Sequence, residues 1–251
     1  MIQITNLTAG YGNEPILRDL TLSIPEGSVT AITGCNGCGK TTLLRVLTGQ
    51  LPAASGNITL LGKDLTAYGR KELARTAALL PQTRNIPDLT VETLVEHGRY
   101  PHLGLSRRLS EKDRDMVRTA MAQTDVTHLA RRQLRELSGG QQQRAFLAMA
   151  LAQDTPLIML DEPTTHLDLN RQFELLELIR QLRRQGKTIV LVLHDLDHAL
   201  RCSDQLILLE KGHLVQQGTP PQLLESGALE RVFQISIREA EGGYIFSKHR
   251  F

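Results

Sequence analysis

The chain has 251 residues, of which 41% are hydrophobic and 22% charged, the composition of a soluble globular protein long enough to bury a full core as one large α/β domain or two small ones. Twenty-nine Lys+Arg against 27 Asp+Glu leave a formal charge of +2, which removes the electrostatic argument for nucleic acid as the main partner. The longest apolar runs, 157–160 and 189–193, are far short of a membrane span, and Met1-Ile2-Gln3-Ile4 lacks the basic-then-apolar pattern of a signal peptide, so a cytoplasmic protein is expected.

In chain order, residues 2–4 and 16–24 alternate like an antiparallel sheet, with Tyr11-Gly12-Asn13 as the turn between them. After Pro25-Glu26-Gly27, residues 29–33 read as a short buried strand and 40–47 as the start of a helix. Residues 58–61 add another strand, closed by Gly62-Lys63, and 77–80 form a short apolar run ending at Pro81-Gln82. The character then changes: 84–135 holds no convincing strand, while 90–97 and 111–123 read as helices, the second opened by a capping box of Ser110 and Asp113. A helical insertion into an α/β core is therefore expected. Residues 141–152 read as a further helix. Residues 157–160 have the unbroken apolar character of a parallel strand buried on both faces. In 171–184, Leu175, Leu178, Ile179 and Leu182 stand at i, i+3, i+4 and i+7, and Gly186 stops the helix. Residues 188–193 form the next buried strand and deliver His194 at its end.

Strand, helix, strand is a βαβ unit, and ligands of such sheets bind beyond the carboxyl ends of the strands. Gly34-Cys35-Asn36-Gly37-Cys38-Gly39-Lys40-Thr41 stands at one of those ends and is a phosphate-binding loop. Its glycines let the backbone take positive φ and aim N–H groups at phosphate oxygens before a helix. Lys40 is placed to reach the β- and γ-phosphates and Thr41 to ligate Mg²⁺. Asp161 and Glu162 end an apolar strand with side chains that diverge; Asp161 fits a Mg²⁺-holding carboxylate and Glu162 a group that polarises an attacking water. Cys35 and Cys38 also make a C-x-x-C, a spacing that can mark a thiol-redox site, although the loop already accounts for the glycines around it. The helix start and Lys40 predict a lowered pKa for Cys38 and greater reactivity than Cys35. With Cys202 the three cysteines make no disulfide framework, and the histidines show no metal-ligand spacing.

Tyr11, the loop at 34–41, Gln82, Leu137-Ser138-Gly139-Gly140-Gln141, Asp161-Glu162, Asp168 and His194 stand in the order and approximate spacing of the motifs of ATP-binding cassette ATPases, which the whole chain resembles. The resemblance implies a P-loop NTPase core with an antiparallel β subdomain and an inserted helical subdomain: core at about 1–83 and 156–216, insertion at about 84–155, tail at about 217–251. It implies ATP as substrate and Mg²⁺ as cofactor. Residues 34–41 and Thr42 would wrap the phosphates, with Thr41, Gln82 and Asp161 at the metal. Glu162, His194, Gln82 and Lys40 would take the catalytic roles. Tyr11 resembles the aromatic that stacks on adenine, the alternative being a turn aromatic packed on the core; for Gln82 the alternative is a solvated loop residue. In the family, the signature at 137–141 closes on the nucleotide of a second copy placed head to tail, and Asp168 resembles the loop joining the two sites. Cys35 replaces the usual Pro and Thr41 the usual Ser, neither of which impairs the loop.

Gly98-Arg99-Tyr100-Pro101-His102 resembles the cassettes of importers for iron-siderophore, haem and cobalamin; the alternative is a basic, solvated loop continued by Arg107 and Arg108. The implied protein energises a bacterial importer from the cytoplasmic face of the inner membrane, most of all for ferric siderophores, with integral permease subunits as partners, a periplasmic or surface binding protein acting indirectly, and no nucleic acid. An exporter subunit, a DNA-maintenance ATPase and a thiol oxidoreductase are the other readings; the second would need a coiled-coil or zinc insertion that 42–136 lacks.

Overall fold

The computed structural model describes residues 1–12, 14–82, 85–104 and 108–248; Asn13 of the expected turn, Arg84 at the expected boundary and Arg107 of the basic loop lie outside the described residues. The chain begins with β1 (Ile2–Tyr11), β2 (Glu14–Ile24), β3 (Val29–Gly34), α1 (Lys40–Leu47), β4 (Ser55–Leu60), β5 (Lys63–Asp64), α2 (Arg70–Thr76) and β6 (Ala77–Leu80). It continues with α3 (Val91–His97), α4 (Glu111–Gln123), α5 (Gly139–Ala152), β7 (Leu157–Asp161), α6 (Leu169–Arg184), β8 (Thr188–Val192), α7 (Leu196–Cys202), β9 (Gln205–Glu210) and β10 (His213–Gly218). It closes with α8 (Pro220–Glu225), α9 (Ala228–Phe233), β11 (Ile235–Ala240) and β12 (Gly243–Lys248).

Two sheets carry the fold. One is antiparallel, in the order β2-β1-β4-β5; the other runs β10-β9-β3-β8-β7-β6, parallel apart from the antiparallel edge strand β10. The central strands are mostly apolar because both faces are covered, and their side chains alternate between two cores. Ala31, Ile158, Leu160, Ile189 and Leu191 face the core shared with α3–α7. Ile32, Met159, Val190, Val192 and Ile207 face the core shared with α1 and the antiparallel sheet. Since β3, β6, β7 and β8 run the same way, their carboxyl ends lie along one edge of the sheet.

The α/β architecture expected from sequence is present, and α4 begins at the expected box, with Ser110 and Asp113 bonding reciprocally. Three differences have physical causes. The apolar run 77–80, too short to classify by period, is the parallel edge strand β6, its four residues in register with 157–160. The helix read from 171 starts at Leu169, because the Asp168 side chain caps it by accepting from Arg171 N–H at 2.9 Å. The stretch after 217, read as a tail, contains α8, α9 and the β11–β12 hairpin; its helices are six residues long, too short for a 3.6-residue period to register.

Candidate functional site

The loop after β3 is shaped by two close approaches. A Cβ on Gly34 would lie 2.1 Å from the Leu209 carbonyl oxygen of β9, and one on Gly39 would lie 2.5 Å from a Leu17 methyl of β2. Both residues have positive φ, 145° and 104°, so only glycine lets the chain pass between these neighbours. Gly39 is the N-cap of α1 and brings no side-chain oxygen to the first helical N–H groups, which therefore remain available to an anion. Lys40 is 6% exposed and folds back, its Nζ donating to the carbonyls of Gly34 at 2.7 Å and Cys35 at 3.2 Å. Cys35, Asn36 and Gly37 are exposed at the rim, and Thr42 is buried in the first turn.

A cleft of 320 Å³ beside the loop is lined by Tyr11, Thr41, Gln82 and Asp161 together with Leu44 and Arg45. Asp161 ends β7 and is 2% exposed. Its Oδ1 has no hydrogen-bond partner, and burial holds its pKa above the ordinary aspartate value despite a hydrogen bond from Thr41. A buried carboxylate oxygen without a donor, next to a threonine hydroxyl, fits a divalent cation. Among the described residues no group of three His, Cys, Asp or Glu side chains could hold a metal, so an ion here would complete its shell with phosphate oxygens and water. Tyr11 is 45% exposed and free of the core, its hydroxyl accepting from Arg45 at 2.7 Å.

Glu162 follows at φ 52°, a left-handed conformation that costs a non-glycine residue about 1 kcal/mol or more. Its N–H is held by the Val192 carbonyl of β8 at 3.1 Å. The carboxylate Oε1 is hydrogen-bonded to His194 Nε2, and Oε2 accepts from Thr165 Oγ1 at 3.5 Å. Parallel pairing of β7 with β8 makes this meeting across 32 positions possible, because both strands end at the same edge.

The signature segment lies elsewhere. Ser138 caps α5, accepting from Gln141 N–H at 3.4 Å, while the Gln141 side-chain oxygen accepts from Ser138 N–H at 3.0 Å. Leu137 is buried, Ser138 and Gly139 face solvent, and Gly140 packs against the His166 carbonyl, 3.1 Å from where its Cβ would be. None of 137–141 lines the cleft that holds Thr41 and Asp161.

Comparison with known proteins decides the family. The ABC transporter model matches residues 17–165. The chain belongs to the ABC transporter family. It is 46% identical over 229 residues to the ferric enterobactin transport ATP-binding protein FepC of Escherichia coli, covering 90% of this chain and 84% of that one. It is 44% identical over 231 residues to the iron(3+)-hydroxamate import ATP-binding protein FhuC of Bacillus subtilis, covering 91% and 86%. Among solved structures it resembles a dimeric post-hydrolysis ATP-binding cassette bound to ADP and Pi, with TM-score 0.79, 27% identity and coverage of 88% of this chain and 99% of that one. The chain is thus an ABC ATPase that groups with siderophore-import subunits, and it binds and hydrolyses ATP. No helix among its described residues is long and apolar enough to cross a membrane.

One expectation about this ABC ATPase needs correction. Cys38 does not have a lowered pKa: burial pushes its thiol up, outweighing the Lys40 charge, and Cys35 is the exposed thiol of the pair. The alternative reading of 98–102 as a basic, solvated loop does not hold at Arg99. Arg99 is 5% exposed, donating to Asp113 Oδ1 at 2.9 Å and to the Ala152 carbonyl at the end of α5 at 2.7 Å. Gly98 is needed where α3 meets α5, since its Cβ would stand 2.2 Å from the Met149 carbonyl. Arg45, absent from the residues singled out in the sequence, joins the cleft through Tyr11; its place in the last turn of α1 carries no motif.

Proposed function

We propose that this ATPase energises a bacterial importer of ferric siderophores, as two copies placed head to tail on membrane-spanning permease subunits at the cytoplasmic face of the inner membrane, with a binding protein delivering cargo from the other side. The names and identities of the curated relatives support the cargo class, and the dimeric ADP-and-Pi cassette supports the pairing. In this reading the parallel sheet and antiparallel subdomain, about 1–83 and 156–216, hold nucleotide, and the permease docks near Gln82 and the helical insertion at about 84–155.

The observation that carries the residue roles is the convergence at one sheet edge of the open loop, the orphaned Asp161 oxygen and the Glu162–His194 pair. Lys40 gives up the carbonyls of Gly34 and Cys35 for the β- and γ-phosphates, and Tyr11 turns its exposed ring to adenine. Thr41, Asp161 and Gln82 hold Mg²⁺, which neutralises phosphate charge when bound. His194 leaves Glu162 for the γ-phosphate, freeing the carboxylate to take a proton from the attacking water. Ser138, Gly139 and Gly140 of the opposite copy close over the phosphates, and Asp168 lies between the two sites.

Glu162→Gln tests this. Turnover should fall about 10²- to 10⁴-fold with MgATP binding intact and an ATP-stabilised dimer on gel filtration; normal turnover would remove Glu162 from its role. Cells carrying the same substitution should fail to accumulate radioactive iron supplied as a siderophore complex, and undiminished uptake would overturn the cargo.

A further inference from the structure

We propose that Cys35 and Cys38 form a peroxide-sensitive dithiol whose oxidation to a disulfide disables the phosphate loop. The inference rests on the reading that this loop holds ATP. Cys38 N–H donates to the Cys35 carbonyl at 3.3 Å, so the two residues are the ends of a hydrogen-bonded four-residue turn. Such ends lie within about 7 Å at Cα, and disulfides span about 4.4 to 6.8 Å. The thiols differ in a way that suits attack and resolution. Cys35 is exposed, its S–H donating to the Val232 carbonyl of α9 at 3.4 Å. Cys38 is 3% exposed; its Sγ occupies the space beside Gly34 and lies 3.9 Å from Lys40 Nζ. Cys202 stands apart at the end of α7, buried, with a pKa pushed up to about 12.

In the first step Cys35 gives up its thiol proton and its sulfur attacks a hydrogen peroxide oxygen; the O–O bond breaks, the departing hydroxide takes up that proton and leaves as water, and Cys35 becomes a sulfenic acid. The Cys38 sulfur then attacks the Cys35 sulfur, loses its proton and releases the second water. Two thiols and one peroxide give one disulfide and two waters, the dithiol supplying both electrons. The new bond draws Cys35 from Val232 and Cys38 from its place beside Gly34 and Lys40, so the N–H groups around 35–40 can no longer wrap a phosphate. Iron turns peroxide into damaging radicals, and a loop that peroxide switches off suits a subunit driving iron uptake.

The test treats the nucleotide-free full-length protein with hydrogen peroxide. Intact mass should fall by two hydrogens, and peptide mapping should join Cys35 to Cys38 with Cys202 still alkylatable. MgATP should slow the reaction, affinity for a fluorescent ATP analogue should fall at least about tenfold, equivalent to about 1.4 kcal/mol, and dithiothreitol should restore both mass and affinity. Cys35→Ser and Cys38→Ser should each keep, after peroxide, the affinity they had before it. Oxidation of Cys35 alone to a sulfinic acid, or a fully formed disulfide with undiminished affinity, would overturn the proposal. Reduced protein that binds no MgATP would instead remove the ATP reading of the loop, and this inference with it.

Discussion

Helices α1 and α5 both begin in glycine-containing turns, and the structure finishes those two beginnings in opposite ways. At α1 the capping position is Gly39, left-handed and without a side chain, and no oxygen reaches back to the first turn. At α5 the capping position is Ser138, and Ser138 and Gln141 satisfy one another's backbone donors. The first end is poorly satisfied by its own chain, while Lys40 keeps a positive charge folded over it; that is the condition of a site waiting for an anion. The second has its Ser138 and Gln141 donors tied to one another and faces solvent, so whatever draws them away must compete with a cap worth about 1 kcal/mol. An open end inside the cleft and a capped end outside it fit the proposed sharing of nucleotide between two copies.

The largest expected effect comes from untying the other end of α5. Arg99 and Asp113 are 6% and 13% exposed at their side chains, and Arg99 also caps the Ala152 carbonyl. Arg99→Ala leaves a nearly buried carboxylate without its cation and should cost about 3 to 5 kcal/mol in urea unfolding. The loss should depend on pH. Burial alone would raise the Asp113 pKa, but hydrogen bonds from Ser110 and Arg99 outweigh it and hold the carboxyl below its usual value. A depressed folded pKa gives stability that is present above the unfolded value, near 4, and lost as pH falls through the folded one. The gap between wild type and Arg99→Ala should therefore narrow in acid; a gap constant from neutral pH to acid would show that the ion pair is not its source.

Gly34→Ala strikes the open end. Its φ of 145° and the 2.1 Å approach to Leu209 leave no room for a methyl group, and strain of about 1 to 3 kcal/mol should appear as lost MgATP affinity together with lowered stability. A variant that binds MgATP normally would show that the loop does not need this geometry. Tyr11→Ala asks whether that end belongs to a complete nucleotide site. Stacking of a base on an aromatic ring is worth about 1 to 3 kcal/mol, so ATP affinity should drop at least about fivefold while Tyr11→Phe, which loses only the hydroxyl contact with Arg45, stays near wild type. Equal losses in the two variants would assign the effect to the hydroxyl.

How much of this was legible in the sequence follows from how local each cause is. The strand, the loop and α1 were legible because phosphate-loop residues are consecutive, and the start of α4 because its box spans four residues. Asp161, Glu162 and His194 were placed correctly at strand ends, since buried parallel strands have an unbroken apolar pattern; that His194 would bond to Glu162 depended on sheet order, which no local pattern states. The burial of Arg99 was not legible because its partners, Asp113 and Ala152, are 14 and 53 residues away. The raised Cys38 pKa was hidden for a similar reason: the helix start and Lys40 are near in sequence, but the burial that outweighs them comes from a core assembled from distant parts of the chain. The hairpin at 235–248 escaped notice because it rests only one face, through Ile235, Ile237 and Tyr244, on the main core, and so lacks the continuous apolar run of the central strands.

The smallest expected change in stability separates the two possible uses of Ser138. As a cap its oxygen need only accept from Gln141 N–H, and Ser138→Ala should lose about 1 kcal/mol. Aspartate caps as well as serine, and its charge is favoured at a helix start, so Ser138→Asp should unfold within about 0.5 kcal/mol of wild type. If that surface closes on the phosphates of a second copy, the same aspartate places a carboxylate against them. ATP-driven pairing, read by gel filtration in the Glu162→Gln background, should then vanish in Ser138→Asp and persist, weakened, in Ser138→Ala, while ATP binding to the monomer is unchanged in both. Stability and pairing that fall together across the two variants would reduce Ser138 to a cap, whereas full stability with lost pairing can arise only if something negative must approach the closed end of α5.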